Sequence, residues 1–266
     1  MNKSIIIFAQ KSKITPMNTC DTLLKHRSIR QYKSDAIADD ILEKILIAAS
    51  RGATTGNMQL YSIIVTRDEA RRKVLCPLHF GQKMVEQAPV ILTFCADLNR
   101  FHQWCEARNA EKIYDNFLWF YNGTIDAVIA AQNAVLAAED LGLGTCYLGT
   151  TTYMAPQIIE FFNLPQGVVP VTTVVLGYPA ENPPLTDRLP LEAVVHDETY
   201  TDYTSETIDK LYSEKESLPL TAELVKTNQV ENLAQVFTLK RYKKQDNIHT
   251  SNIFLDTIKN QGFFHS

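Results

Sequence analysis

The spacing of apolar side chains divides the chain into short helices and strands that alternate irregularly. Asn18 or Thr19 is a suitable cap for a short helix running to about His26. Beyond it Ser28-Ile29-Arg30-Gln31-Tyr32 alternates as an extended segment does, with Ser28, Arg30 and Tyr32 on one face. The stretch that begins Asp39-Asp40-Ile41-Leu42 has two acids in its first turn, facing the positive end of the helix dipole, and apolar residues at helical spacing up to Leu46. With Gly52 close behind, it predicts an amphipathic helix. Residues 61–66 and 90–96 predict strands, with a charged helix over 68–76 between them. From Gly123 to Leu141 almost every face is apolar, interrupted by Asp126, Gln132, Asn133 and an acidic end, and Gly142 stands in the stop position. Such a helix needs burial on all sides. Its polar interruptions and modest length argue against a bilayer span, leaving the centre of a core or a helix shared between two subunits. Residues 146–149 and 171–177 predict two more strands, with a short helix over 156–162 between them.

After Pro179 the chain turns polar and proline-punctuated, and from Thr204 it reads as helical but weakly amphipathic, ending in 251–260. Too few apolar positions are present for this tail to fold alone, so it is expected to pack over the main domain or over a partner subunit. With 266 residues and 45% hydrophobic content the chain can bury one sizeable core. The expected organisation is an N-terminal extension at 1–16, a core at 17–200 and a helical extension at 201–266.

A formal net charge of -4 and scattered basic residues give no attraction for polyanions, which argues against nucleic acid as a partner. Cys20, Cys76, Cys95, Cys105 and Cys146 form no CxxC pair and no zinc-like spacing with histidine, which fits a reducing, cytoplasmic setting. The apolar run at 5–8 is too short for a signal-peptide core or a membrane span.

Chemistry is concentrated in His26-Arg27-Ser28-Ile29-Arg30, where two guanidinium groups, an imidazole and a hydroxyl meet at the end of a helix. Arginine forks match phosphate oxygens bidentately and a serine hydroxyl adds a short bond, so the cluster is a candidate anion site; a solvated basic turn is the commoner reading of such a pentapeptide. Arg188 is a second cationic point that can close on the same anion, or else an ordinary loop arginine paired with Asp187. Residues 51–59, including Thr54, Thr55 and Gln59, are small and amide-rich, so the backbone there can approach a flat ligand; connecting loops of that composition are also common. The segment 141–150 is a helix stop followed by a strand with Gly149 at its exit, which is not a dinucleotide fingerprint. There is no Walker loop, no GxSxG elbow and no HExxH, and His79, His102, His196, His249 and His265 are too dispersed to suggest a metal. If this is an enzyme, a cofactor carries the reactive atoms and no side chain is catalytic in its own right.

Taken in order, HRSIR at 26–30, SIIV at 62–65, GQK at 81–83, FCADLNR at 94–100, AQNAVLAAEDLGLG at 131–144, LPQGVVP at 164–170, LGYPAENPPL at 176–185 and DRLP at 187–190 resemble the nitroreductase superfamily, in its branch of oxygen-insensitive nitroreductases and flavin reductases. The resemblance covers 18–200, and beyond that the closing FLDTIKNQGFF at 254–264. It implies an α+β fold with a central, mostly antiparallel sheet flanked by helices in a domain-intertwined homodimer, and non-covalently bound FMN. His26, Arg27, Ser28 and Arg30, joined by Arg188, are then expected around the FMN phosphate and ribityl chain. Gln82 is expected at the ring, and Leu148, Gly149 and Thr150 along its edge. Thr54, Thr55 and Gln59 match a stretch that reaches the flavin from the other subunit.

The implied reaction is a ping-pong cycle. NADPH or NADH stacks over the flavin, delivers hydride and leaves, and a nitroaromatic, a quinone or a similar small acceptor takes its place. Reduction of free flavin as the second substrate, or a flavin-binding sensor or carrier without efficient turnover, are the alternatives. Two positions depart from the family pattern. Thr186 stands where a lysine helps neutralise the phosphate, and Asn228-Gln229-Val230-Glu231-Asn232 stands where an arginine-rich loop grips the NADPH 2′-phosphate. Arg241, Lys243 and Lys244 follow and can substitute, so the choice of nicotinamide stays open.

Overall fold

The computed structural model describes residues 18–112 and 115–264. The extension expected at 1–16 lies outside those residues. In chain order the elements are α1 (Thr19–Leu24), α2 (Asp39–Ser50), β1 (Tyr61–Thr66), α3 (Glu69–Leu78), α4 (Met84–Gln87), β2 (Val90–Asp97), α5 (Asn99–Glu106), α6 (Phe117–Asp140), β3 (Gly144–Leu148), α7 (Ala155–Phe162), β4 (Val168–Gly177), α8 (Ser205–Ser217), α9 (Pro219–Asn228), α10 (Leu233–Gln235), a π-helix (Val236–Arg241) and α11 (Lys244–Asn260).

The four strands form one sheet in the order β1-β2-β4-β3, and all three pairings are antiparallel. Every residue of β2 is buried, as the continuous apolar run of a strand covered on both faces requires. Successive side chains alternate across the sheet. Val90, Leu92 and Phe94 join Val174 and Leu176 beneath α2 and α6. Ile91 points the other way, with Val175, Cys146 and Leu148, into a second cluster closed by α3 and α4. The sheet is therefore the middle layer of an α+β sandwich.

Asn18 caps α1 by accepting from the Cys20 N–H at 3.1 Å. Asp68 caps α3 in the same way through the Arg71 N–H at 2.8 Å. α6 stops where the sequence places its stop: Leu143 N–H returns to Ala138 O at 2.9 Å and Gly142 N–H to Glu139 O at 3.0 Å. It begins at Phe117, six residues before the expected start at Gly123. Gly123 is an interior packing position instead. A Cβ there would stand 2.9 Å from the Leu60 carbonyl oxygen, so only glycine lets the helix lie this close to the entry of β1. No helix among the described residues is long and apolar enough to cross a membrane.

The C-terminal segments divide into two behaviours. α8, α9, α10 and the π-helix pack on one another. Leu191, Val194, Val195 and Tyr200, which lead into them, are exposed. α11 returns to the main body, where Ile258 and Phe263 are buried with Leu60, Leu98, Phe120 and Val169.

Candidate functional site

The cationic cluster lies where the chain leaves α1 and crosses the sheet edge. Ile29 N–H donates to Thr145 O at 2.8 Å, Lys33 N–H to Tyr178 O at 2.9 Å, and Ala180 N–H to Gln31 O at 2.9 Å, so residues 28–33 span from the start of β3 to the exit of β4. Gly144 makes this possible, because a Cβ at that position would sit 2.6 Å from Ile29 Cγ1. The expected shared face of Ser28, Arg30 and Tyr32 is not formed. Ile29 and Tyr32 are the buried pair and Arg30 is exposed. The segment is not a regular strand: the Tyr32 hydroxyl bonds back to Ile29 O at 2.5 Å, which turns both side chains inward. Tyr32 is strongly disfavoured as a phenolate, chiefly by burial.

Ser28 and Arg30 come together beside Cys146. Burial raises that thiol, while the neighbouring Arg30 charge and Ser28 hydroxyl act in the opposite direction. His26 turns away, its Nδ1 2.8 Å from Glu139 Oε1, which also accepts from Thr145 Oγ1 at 2.6 Å. Arg27 donates to Asn182 Oδ1 at 2.6 Å and to Pro183 O at 3.1 Å. Glu181 holds the extended segment in place, accepting from Arg30 N–H at 2.5 Å and Gln31 N–H at 3.0 Å. Among the described residues, no carboxylate pairs with Arg27 or Arg30 within ion-pair distance. A cleft of about 470 Å³ beside Arg27 is lined by Lys25, Glu139, Glu181 and Asn182.

At the other end of β3, four residue steps or about 14 Å away at strand rise, the chain passes through Leu148, Gly149 and Thr150. A Cβ on Gly149 meets no heavy atom within 4 Å. Among the described residues neither the Gly149 nor the Thr150 backbone N–H has an acceptor in the protein. Thr150 Oγ1 is 2.8 Å from Nδ1 of His79, whose carbonyl accepts from Gln82 Nε2 at 3.0 Å and from Gln82 N–H at 3.3 Å. Gln82 and Thr150 thus share one neighbour.

Two groups of expected site residues stand apart from this edge. Thr55 donates through its N–H and its hydroxyl to Asp126 Oδ1 at 2.9 and 3.2 Å, and Gln59 Nε2 donates to Asn57. Thr54, Thr55 and Gln59 therefore lie at the entry to β1, on the sheet edge opposite β3, and one protomer does not bring them to Thr150. Arg188 faces a separate cavity of about 940 Å³, lined by Leu191, Tyr212, Lys215 and Phe237 among others. It is not paired with Asp187, because Asp187 takes Lys215 at 2.5 Å; among the described residues Arg188 donates to the carbonyls of Thr186 and Asp187. Arg241 stacks over Phe237 at 5.7 Å.

The residues present suit a ligand with an anionic ester at one end and a flat, heteroatom-edged ring at the other. Unpaired guanidinium charge serves the first, and an open glycine flanked by two free N–H donors serves the second. His79, Glu139 and Glu181 escaped the sequence reading. Glu139 carried a signal, since an acid in the last turn of a helix opposes the dipole unless a cation waits for it. Glu181 and His79 carried none, because the partners of their side chains are distant in sequence.

These features define a class: α+β proteins that offer a cationic end and a donor-lined end along one edge strand of an antiparallel sheet. The family model for the nitroreductase family matches residues 23–178, more than half of the chain. The chain belongs to the nitroreductase family. It is 39% identical over 182 residues to an oxygen-insensitive NADPH nitroreductase of Salmonella typhimurium, covering 68% of this chain and 74% of the relative. It is 34% identical over 205 residues to an FMN reductase (NADPH) of Bacillus subtilis, covering 74% and 82%. A crystal structure of an oxidoreductase from Bacteroides fragilis superposes with a TM-score of 0.90 at 48% identity, covering 92% of this chain and 99% of that one.

Proposed function

We propose that the protein is an FMN-dependent oxidoreductase that takes electrons from NADPH or NADH and passes them to small organic acceptors such as nitroaromatics or quinones. FMN, when bound, would supply the redox chemistry that links the nicotinamide to the acceptor. The chain's own part is to hold and orient. Ser28 and Arg30, with Arg27 beside them, take the phosphate and ribityl chain; His26, now held by Glu139, and Arg188, now facing its separate cavity, would have to turn toward the same anion to join them. Gly149 lets the ring approach the backbone, and the N–H groups of Gly149 and Thr150 donate to its edge beside Leu148 and Gln82. Such donors stabilise charge that develops on reduction, and the two stacked rings need only near-contact positioning. The observation that carries the reading is the pairing, among the described residues, of two guanidinium groups without an ion-pair partner at one end of β3 with two free N–H donors and an open glycine at the other.

A homodimer completes the proposed site. Leu118, Tyr121, Ile125 and Val128 form an exposed apolar stripe at helical spacing along α6, suited to a second copy of the chain. Across that contact Thr54, Thr55 and Gln59 of one protomer would reach the ring held by the other. The exposed apolar residues leading into α8 suit the same partner, while α11 belongs to its own core. The free cysteines, four of them buried, are in keeping with a reducing cytoplasm.

The test is the visible spectrum of the purified protein before and after anaerobic addition of each nicotinamide, followed by turnover with a nitroaromatic and a quinone. A yellow protein that bleaches and turns over is expected; one saturated with FMN that neither bleaches nor turns over rejects the proposal. The name of the Bacillus subtilis relative favours one second reading, reduction of free FMN. Comparing rates with free FMN and with a nitroaromatic separates the two.

A further inference from the structure

His79 follows α3 directly and has no exposed surface. Its Nδ1 lies 2.8 Å from the Thr150 hydroxyl, 71 residues further along the chain, and its Nε2 is buried with no hydrogen-bond partner among the described residues. Its carbonyl accepts both donors of Gln82. One residue therefore ties together two side chains that the flavin reading puts at the ring.

The proton on this imidazole has two places to sit. On Nε2 it would be a buried donor without an acceptor; on Nδ1 it is used, and Nε2 keeps only an unpaired lone pair. Unsatisfied buried acceptors are tolerated better than unsatisfied N–H donors. His79 therefore carries its proton on Nδ1 and donates it to Thr150 Oγ1, which leaves the Thr150 hydroxyl proton to be given elsewhere. Burial also keeps the ring neutral, since it is the cause that lowers the His79 pKa.

Resting on the flavin reading, we propose that His79 is a positioning residue, which makes the Thr150 hydroxyl an outward hydrogen-bond donor to the bound flavin and fixes Gln82 beside it. A donor at the ring edge favours the reduced, more negative cofactor over the oxidised one. A histidine that merely ended α3 would leave that balance alone.

The experiment measures the midpoint potential of protein-bound FMN, with its visible spectrum and the FMN Kd, in H79F, H79N, T150V and T150S. H79F keeps a flat apolar ring but no donor, while H79N retains a short donor near the Nδ1 position. T150V removes the hydroxyl and leaves His79 in place, so the proposal stays testable if the H79F protein does not fold. H79F and T150V are expected to weaken binding of reduced FMN relative to oxidised FMN by about tenfold, a shift of about 30 mV to more negative potential for a two-electron couple. The double variant should shift no further than either single one, because both remove the same bond. H79N and T150S should return towards the native potential. FMN held normally at an unchanged potential in T150V overturns the role of His79 while leaving the flavin reading intact. A native protein that binds no FMN overturns both.

Discussion

Arg30 is exposed and has no carboxylate partner among the described residues, so its charge is free for a ligand. A charge-assisted hydrogen bond to phosphate contributes about 1.5–3 kcal/mol. R30A is expected to raise the FMN Kd by roughly tenfold to a hundredfold, read by flavin fluorescence titration; an unchanged Kd would move the phosphate elsewhere. Gly144 is the opposite kind of residue, set by what it lacks. G144A drives a methyl group into Ile29 and should cost about 1–3 kcal/mol in a urea melt, as overpacking does. His79 adds a pH dependence. Burial alone lowers it from the ordinary 6.5 to about 4. Between those values the unfolded chain takes up a proton that the folded chain refuses. The stability of the neutral ring is therefore complete above about pH 6.5 and falls by up to about 1.4 kcal/mol per pH unit towards pH 4. Urea melts at about pH 7 and about pH 5 should show this slope in the native protein and a smaller one in H79N; equal slopes would acquit His79. Of these residues only Arg30 was legible in the sequence. It sits among His26, Arg27 and Ser28, so its neighbours in space are its neighbours in the chain. His79 and Thr150 meet only because α3 and β3 are brought together by the sheet.

At the scale of elements, α6 divides its apolar residues by size. Ala127, Ala130, Ala131, Ala134 and Ala138 are buried in the core shared with α2 and the sheet, where the helix must come close, and Leu118, Tyr121, Ile125 and Val128 are exposed. The sequence pattern, apolar on nearly every side, identified a helix wanting two partners but not which side took which. I125R should break the outward contact, because a charge buried there without a partner costs on the order of 3 kcal/mol. Sedimentation is expected to show a monomer with reduced FMN content; a dimer that keeps its flavin would place the interface on another element. The strands were legible because β-rich runs bounded by turns leave few alternatives, and α2 because its stripe is clean. α5 was not, since its apolar residues Phe101, Trp104 and Cys105, although at helical spacing, span little more than one turn among polar neighbours, and Trp104 is exposed.

For the whole molecule, the sheet order decides what a single chain can do. β3 and β1 are the two outer strands, so the cationic cluster and the 54–59 loop stand on opposite flanks, about 14 Å apart at ordinary strand spacing. Sequence proximity says nothing about this separation, because strand order is fixed by the packing of all four strands together. In the proposed homodimer each such separation would occur twice, and each flank of one chain would meet the other flank of its mate. Two crippled proteins can then repair one another. R30A damages one flank and Q59A the other, yet when the two are unfolded and refolded together a mixed pair contains one centre with both faults and one with neither. Random assortment puts about half of the molecules in mixed pairs and therefore restores about a quarter of all centres, a recovery that no blend of the separately folded proteins should give.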